Sequence, residues 1–223
     1  MFNSAEKFAK YIDHTLLKPT ATICEIEAIC KEGEEYGFHS ICINPCYVKK
    51  ASQFLKSSPV KICTVIGFPL GASTLLQKQR EGEECLLNGA DELDMVLNLG
   101  ALKSGDWRYV EEEISALRAL TAGKAILKVI METDLITEEE LIKGCKIARE
   151  SGVDFVKTST GFLGQGAIAE KVAIMKRAAG DEMEVKASGG IRTLARMTSM
   201  LEAGATRIGT SSGLKIMAEL RES

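Results

Sequence analysis

Short apolar runs recur along the chain, and each is followed by a longer stretch whose apolar positions return every three or four residues. The runs cover residues 11–17, 38–43, 60–66, 92–97, 125–131 and 153–156, then a segment around Val185, then 205–209. Their length and their β-branched content predict eight strands. The intervening stretches carry helix signals. Ile23, Ile26, Ile29 and Cys30 share one face of a helix over 21–36, which Gly37 stops. Pro45 suits the first position of a helix reaching residue 56. Ser73 can cap a helix running to Asn88, and another spans 106–120. Thr137 followed by Glu138, Glu139 and Glu140 is a capped, acidic start for a helix to Glu150. Helices over 167–179, from Thr193 to Glu202, and over 214–220 complete the series.

Strand–helix alternation implies a parallel sheet. Eight such units in 223 residues, close to the ~250 usual for the fold, predict an α/β protein built as a closed (β/α)8 TIM barrel. No Pro/Gly/Ser linker or composition break divides the chain, so residues 1–223 are expected to form a single domain. An open doubly wound sheet would normally show a GxGxxG turn after its first strand, and none is there.

Composition then removes classes of partner. Lys and Arg number 28 against 31 Asp and Glu, and no dense basic stripe is present, so nucleic acid and anionic membranes are not expected. No apolar run approaches the ~20 residues of a membrane span. The first ten residues are mixed and charged, without a signal-peptide apolar region. The seven cysteines are an odd number without CxxC pairs, which argues for reduced thiols and a cytoplasmic protein. With two histidines, His14 and His39, and no metal-binding spacing, neither metal nor cofactor is expected, and both histidines read as structural. A homodimer or higher homo-oligomer is left open.

A barrel gathers its functional groups at the C-terminal ends of its strands. There the chain places polar residues that break apolar runs: Asp13, Cys42, Asp94, Lys128, Lys157 and Lys186. Lys157 ends one strand and is followed by Thr158, Ser159, Thr160 and Gly161. Lys186 repeats the pattern, followed by Ala187, Ser188, Gly189 and Gly190. An ammonium buried without partners tends to shed its proton, and a neutral amine can form a Schiff base with a carbonyl. Neighbouring parallel strands lie ~4.8 Å apart, so the two lysines are expected to approach closely and favour the neutral form of Lys157. Asp94 fits a proton relay or a salt-bridge partner of either lysine, roles that do not exclude each other. Asp13 and Lys128 read as a charge pair that orients the substrate, a set that Thr158 and Cys42 join. With no histidine in its local sequence, Cys42 reads first as a small core residue. The Gly-rich loops over 188–192 and 209–213, including Gly189, Gly190, Gly209, Ser211 and Ser212, precede helices where barrels commonly bind phosphate.

These residues resemble the deoxyribose-phosphate aldolases, a family of class I aldolases. The likeness runs in order through residues 12–17, 41–45, 65–69, 92–96, 127–130, 155–162, 185–192 and 207–213. It implies reversible cleavage of 2-deoxyribose 5-phosphate to glyceraldehyde 3-phosphate and acetaldehyde. It also implies Lys157 as the Schiff-base lysine, and Asp94 and Lys186 as the proton donor/acceptor pair. Gly189, Gly190, Ser211 and Ser212 would then hold the phosphate, with Gly161 nearby. Two stretches depart from the family pattern. The tail over 220–223 has no tyrosine, which some members use in proton transfer, and the loop over 162–166 replaces a small-residue loop. Both are expected to bear on turnover and substrate range. The alternatives are a transaldolase, a metal-dependent aldolase, and a non-catalytic barrel that binds a phosphorylated ligand. The metal enzyme needs a histidine cluster, and the binding barrel has no use for two lysines beside Asp94.

Overall fold

The computed structural model describes residues 5–222. Part of the N-terminal stretch and the last residue of the tail therefore lie outside the described residues. Eight strands form a closed parallel barrel in sequence order: β1 (Ile12–Leu16), β2 (Ser40–Ile43), β3 (Lys61–Ile66), β4 (Glu92–Val96), β5 (Ile126–Ile130), β6 (Phe155–Lys157), β7 (Glu184–Ser188) and β8 (Arg207–Thr210). Asp13 sits opposite both Ser40 on β2 and Gly209 on β8, which closes the ring. The helices are α1 (Ala5–Ala9), α2 (Ile23–Tyr36), α3 (Val48–Phe54), α4 (Leu75–Leu87), α5 (Leu99–Lys103), α6 (Trp107–Thr121), α7 (Glu138–Glu150), α8 (Ala169–Ala179), α9 (Leu194–Glu202) and α10 (Gly213–Glu222). Among the described residues no helix is long and apolar enough to cross a membrane.

Local chemistry accounts for the helix boundaries. Thr22 with Glu25 and Thr137 with Glu140 form reciprocal capping boxes, and Gly37 ends α2 with a left-handed φ of 66°. The expected cap Ser73 is displaced by Thr74. A capping box needs Glu or Gln three residues on; Thr74 finds Gln77, whereas Ser73 would face Leu76. The single helix expected from Pro45 is two pieces, a 3-10 turn over Pro45–Tyr47 and then α3. Asn44 makes no side-chain cap there. The short helices α1 and α5 were not expected. α5 forms because the Asn98 side chain accepts from the Ala101 N–H.

The period-two alternation of the strands sorts side chains into two layers. Ile41, Leu93, Val129, Val156, Val185 and Ile208 are fully buried in the main apolar cluster, which the helices complete. Each such side chain contributes about 1.5–3 kcal/mol of burial. The alternate positions point into the barrel, and they include seven charged side chains beside neutral ones such as Ser40, Cys42, Cys63 and Val65. That apolar shell offsets the cost, several kcal/mol per ion, of desolvating the groups inside.

Candidate active site

The interior charges belong to β1, β4, β5, β6, β7 and β8, and Asp94 is their hub. Its Oδ2 accepts from Lys157 Nζ and Lys186 Nζ, each at 2.8 Å, and its Oδ1 accepts from Lys128 Nζ at 2.8 Å. Lys128 also reaches Glu92 at 2.5 Å. Lys186 forms an ion pair with Asp13 Oδ2 at 2.5 Å, without hydrogen-bond alignment. Asp13 Oδ1 accepts from Ser40 at 2.7 Å and from Arg207 at 2.9 Å, and Arg207 reaches on to Glu92 at 3.1 Å. Four cations (Lys128, Lys157, Lys186, Arg207) thus meet three carboxylates (Asp13, Glu92, Asp94), and all seven are buried.

Their mutual attraction outweighs desolvation. Burial alone would raise Asp94, but Lys128, Lys157 and Lys186 hold it well below the carboxylate range. Asp13 is likewise lowered, against its burial, by Lys186 and Arg207. Glu92 falls to about 2, where Lys128 and the His39 hydrogen bond overcome burial. Burial would lower Lys186, yet Asp13 and Asp94 raise it well above the lysine range. The same contest raises Lys128, through Asp94, Cys63 and Glu92.

The structure therefore brings Lys157, Asp94, Lys186, Asp13 and Lys128 together, but with different partners from those expected. Asp13 and Lys128 do not pair: Asp13 is taken by Lys186, Arg207 and Ser40, and Lys128 by Glu92 and Asp94. Nor do the two strand-end lysines face each other as bare like charges, because Asp94 Oδ2 lies between them. Sequence reasoning overlooked Glu92 and Arg207, which open their strands and look solvent-bound. Glu92 was within reach of a period-two count, standing two residues before Asp94 and so on the same face. Arg207 lies opposite Lys186 in the β7–β8 register.

Of the cluster, Lys157 opens onto a cavity of about 420 Å³. Gly161, Gly189, Gly190, Gly209 and Ser211 line it, with Lys18 and Arg192. Ser212 lies outside this lining, beside His14 and Thr15 in a neighbouring hollow. Thr158 ties the β6 and β7 ends together, donating to Ser188 O and accepting from Ser188 N, both at 3.0 Å. Gly166 and Gly189 pack backbone to backbone: a Cβ on Gly166 would sit 2.4 Å from the Gly189 carbonyl. Phe162 from the β6 loop meets Phe68 from the β3 loop edge-on, with centroids 5.2 Å apart, across the barrel mouth.

Cys42 is buried in a small apolar group with Leu17, Cys63 and Val65. A hydrogen bond with Cys63 lowers the Cys42 thiol, and burial raises that of Cys63. All seven cysteines are free thiols. His14 pairs with Glu32 at 2.7 Å and His39 with Glu92 at 3.1 Å. Cys42, Cys63 and Asp94 lie close enough to share an ion, as do Asp13, Cys63 and Glu92. In both sets the carboxylates already accept from lysine or arginine, which stand where a metal cation would.

Comparison with known proteins places the whole chain in one family. The model of the DeoC/LacD family of aldolases matches residues 7–219. The deoxyribose-phosphate aldolase of Staphylococcus carnosus is 54% identical over 213 residues, 96% of each chain. That of Carboxydothermus hydrogenoformans is 53% identical over 220 residues, 97% of this chain and 96% of its own. Among solved structures, a putative deoxyribose-phosphate aldolase from Coccidioides immitis superposes with a TM-score of 0.95 at 42% identity, covering 99% of this chain and 88% of that one. The deoxyribose phosphate aldolase of Aeropyrum pernix, described as having a unique tetrameric structure, gives 0.91 at 36% identity, covering 98% and 92%. By fold, by motif order and by these similarities, the chain belongs to the deoxyribose-phosphate aldolase family, within the DeoC/LacD aldolases.

Proposed function

We propose that this aldolase cleaves 2-deoxyribose 5-phosphate reversibly to glyceraldehyde 3-phosphate and acetaldehyde, through an imine on Lys157. The observation that carries the reading is the shared Asp94 oxygen, 2.8 Å from both Lys157 and Lys186, with Lys157 opening onto the cavity. Lys186 and Lys128 each answer to two carboxylates, whereas Lys157 answers to Asp94 alone.

In the proposed sequence the Lys157 amine adds to the aldehyde carbon, and the adduct takes up one proton and loses water, leaving a protonated imine. The bond between the second and third carbons of the sugar then breaks as the third-carbon hydroxyl gives up its proton. The electron pair of that bond moves into the imine, forms an enamine and releases glyceraldehyde 3-phosphate. Protonation of the enamine and addition of water release acetaldehyde and restore the amine. Asp94 and Lys186 are the proton donor/acceptor pair, directly or through a water. Asp13, Lys128 and Thr158 hold the arrangement; Cys42 lies beside it. Gly161, Gly189, Gly190, Gly209 and Ser211 offer the phosphate site, with Ser212 behind it. The free thiols favour a cytoplasmic setting.

The experiment is incubation with acetaldehyde and borohydride, followed by peptide mapping. The expected product is a reduced two-carbon adduct on Lys157. Adducts confined to exposed lysines, with cleavage intact, would remove the covalent mechanism.

A further inference from the structure

Glu132 lies just past β5 and takes no part in the chemistry above. It is fully buried, and it is the one non-glycine residue with a positive φ, 51°, among those described. A glutamate is disfavoured in that conformation and persists in it only where its surroundings hold it. Here the Glu132 carbonyl accepts from the Leu135 N–H at 3.0 Å, and the carboxylate makes the contacts to the neighbouring loop. Oε2 accepts from the Thr160 N–H at 3.1 Å and from the Thr160 hydroxyl at 2.5 Å. Oε1 is buried without a hydrogen-bond partner. Burial pushes the carboxyl up, while the two bonds from Thr160 and the charge of Lys157 pull it down.

The contacts continue outward. Two residues on, Asp134 Oδ2 accepts from the Gly166 N–H at 3.0 Å. Two carboxylates of the β5–α7 loop thus grip both ends of the loop over 160–166. That loop packs on the next: a Cβ on Gly190 would meet Gln165 O at 2.9 Å, and one on Gly189 would meet Gly166 Cα at 2.8 Å. Thr160, Gly161, Gly189 and Gly190 all line the cavity. Residues 161–166 read Gly-Phe-Leu-Gly-Gln-Gly and carry no charged side chain. What this loop can offer an anion is its backbone N–H groups, and their value depends on position.

We propose that Glu132 is a positioning residue, which through Thr160 sets the β6–α8 loop against Gly189 and Gly190 and so shapes the cavity end that takes the substrate phosphate. The inference rests on the reaction proposed above, and its test separates the two. Glu132→Gly accepts the positive φ without strain and removes only the carboxylate. Glu132→Gln keeps an acceptor oxygen. For the glycine variant we expect the KM for 2-deoxyribose 5-phosphate to rise about 10-fold or more. The kcat changes far less, and acetaldehyde trapping on Lys157 continues. Amide exchange at Thr160 and Gly161 accelerates by about 10-fold or more while the strand amides keep their protection. The glutamine variant recovers most of both effects. An unchanged KM, a trapping rate that falls in step with it, or unaltered exchange at Thr160 would overturn the role. If the wild-type protein neither traps acetaldehyde nor cleaves the phosphosugar, the proposed reaction falls, and amide exchange still decides whether Glu132 holds the loop.

Discussion

At the scale of residues, Lys157 and Lys186 differ in company rather than in kind. Lys186 is clasped by Asp13 and Asp94, while Lys157 shares Asp94 with it and meets the cavity. Removing the Lys186 charge leaves that Asp94 oxygen to Lys157 alone, which holds the amine more firmly. Lys186→Met is therefore expected to slow borohydride trapping and to lower cleavage about 10²–10⁴-fold if proton transfer is lost. Lys186→Arg keeps the positive field but does not release a proton. It should trap faster than the methionine variant and still turn over poorly. Trapping rate, beside steady-state cleavage, reads both effects. A methionine variant that traps like the wild type would leave Lys186 no influence over Lys157.

At the scale of elements, a second buried pair holds the end of β4, where Asp94 is carried. Lys78 on α4 donates to Glu113 on α6 at 2.6 Å and to Val96 O at 2.7 Å, and Glu113 accepts from Asn98 N at 2.9 Å. Neither side chain is exposed. Burial lowers Lys78 and raises Glu113, so each group on its own would be driven toward its neutral form. Lys78→Met should cost about 3–5 kcal/mol in urea unfolding, because Glu113 is left buried and unpaired. The double variant Lys78→Met with Glu113→Leu should recover much of that loss. If the double variant is no more stable than the single one, the Val96 and Asn98 backbone bonds carry the stabilisation instead of the ion pair.

At the scale of the whole molecule, the interior cluster joins six of the eight strands, so its titration is a property of the barrel. Asp13, Glu92 and Asp94 have folded values below their unfolded ones, Glu92 at about 2. Between those values the unfolded chain binds more protons, so stability rises with pH there. This contribution is complete above the unfolded range near 4 and is lost as pH falls through about 2. Lys128 and Lys186 are raised, so their contribution is complete below the unfolded lysine value near 10.4 and declines above it. Urea unfolding free energy should therefore climb between about pH 2 and 4.5 and fall again above about 10. Glu92→Gln should flatten part of the acid slope. A wild-type profile that stays level from pH 2.5 to 5 would mean that the pairing contributes no net stability.

The strand and helix series was legible because it depends on local periodicity: β4 and α7 follow from spacing and capping within a dozen residues. The strand-end polar residues were legible as a group, because the barrel sends alternate positions inward and its strand ends to one face. Misplaced boundaries such as Ser73 for Thr74 came from weighing a cap without its partner at Gln77. Who pairs with whom was beyond local reading. Asp13 and Arg207 are 194 residues apart, and Lys186 and Asp94 are 92. Only closure of the barrel and its stagger bring them into one layer. Glu92 and Arg207 open their strands, which suggests solvent until the ring closes over them. Glu132 is the extreme case. Its sequence neighbourhood predicts a loop, while its left-handed backbone and its grip on Thr160 exist only because two loops from adjacent strands are packed together. Sequence by itself determined the elements and the kinds of chemical group at the barrel mouth, since both are written in short-range pattern. Tertiary structure decided the distribution of charge among them, because buried ions are stabilised by whichever partners the closed barrel brings within about 3 Å.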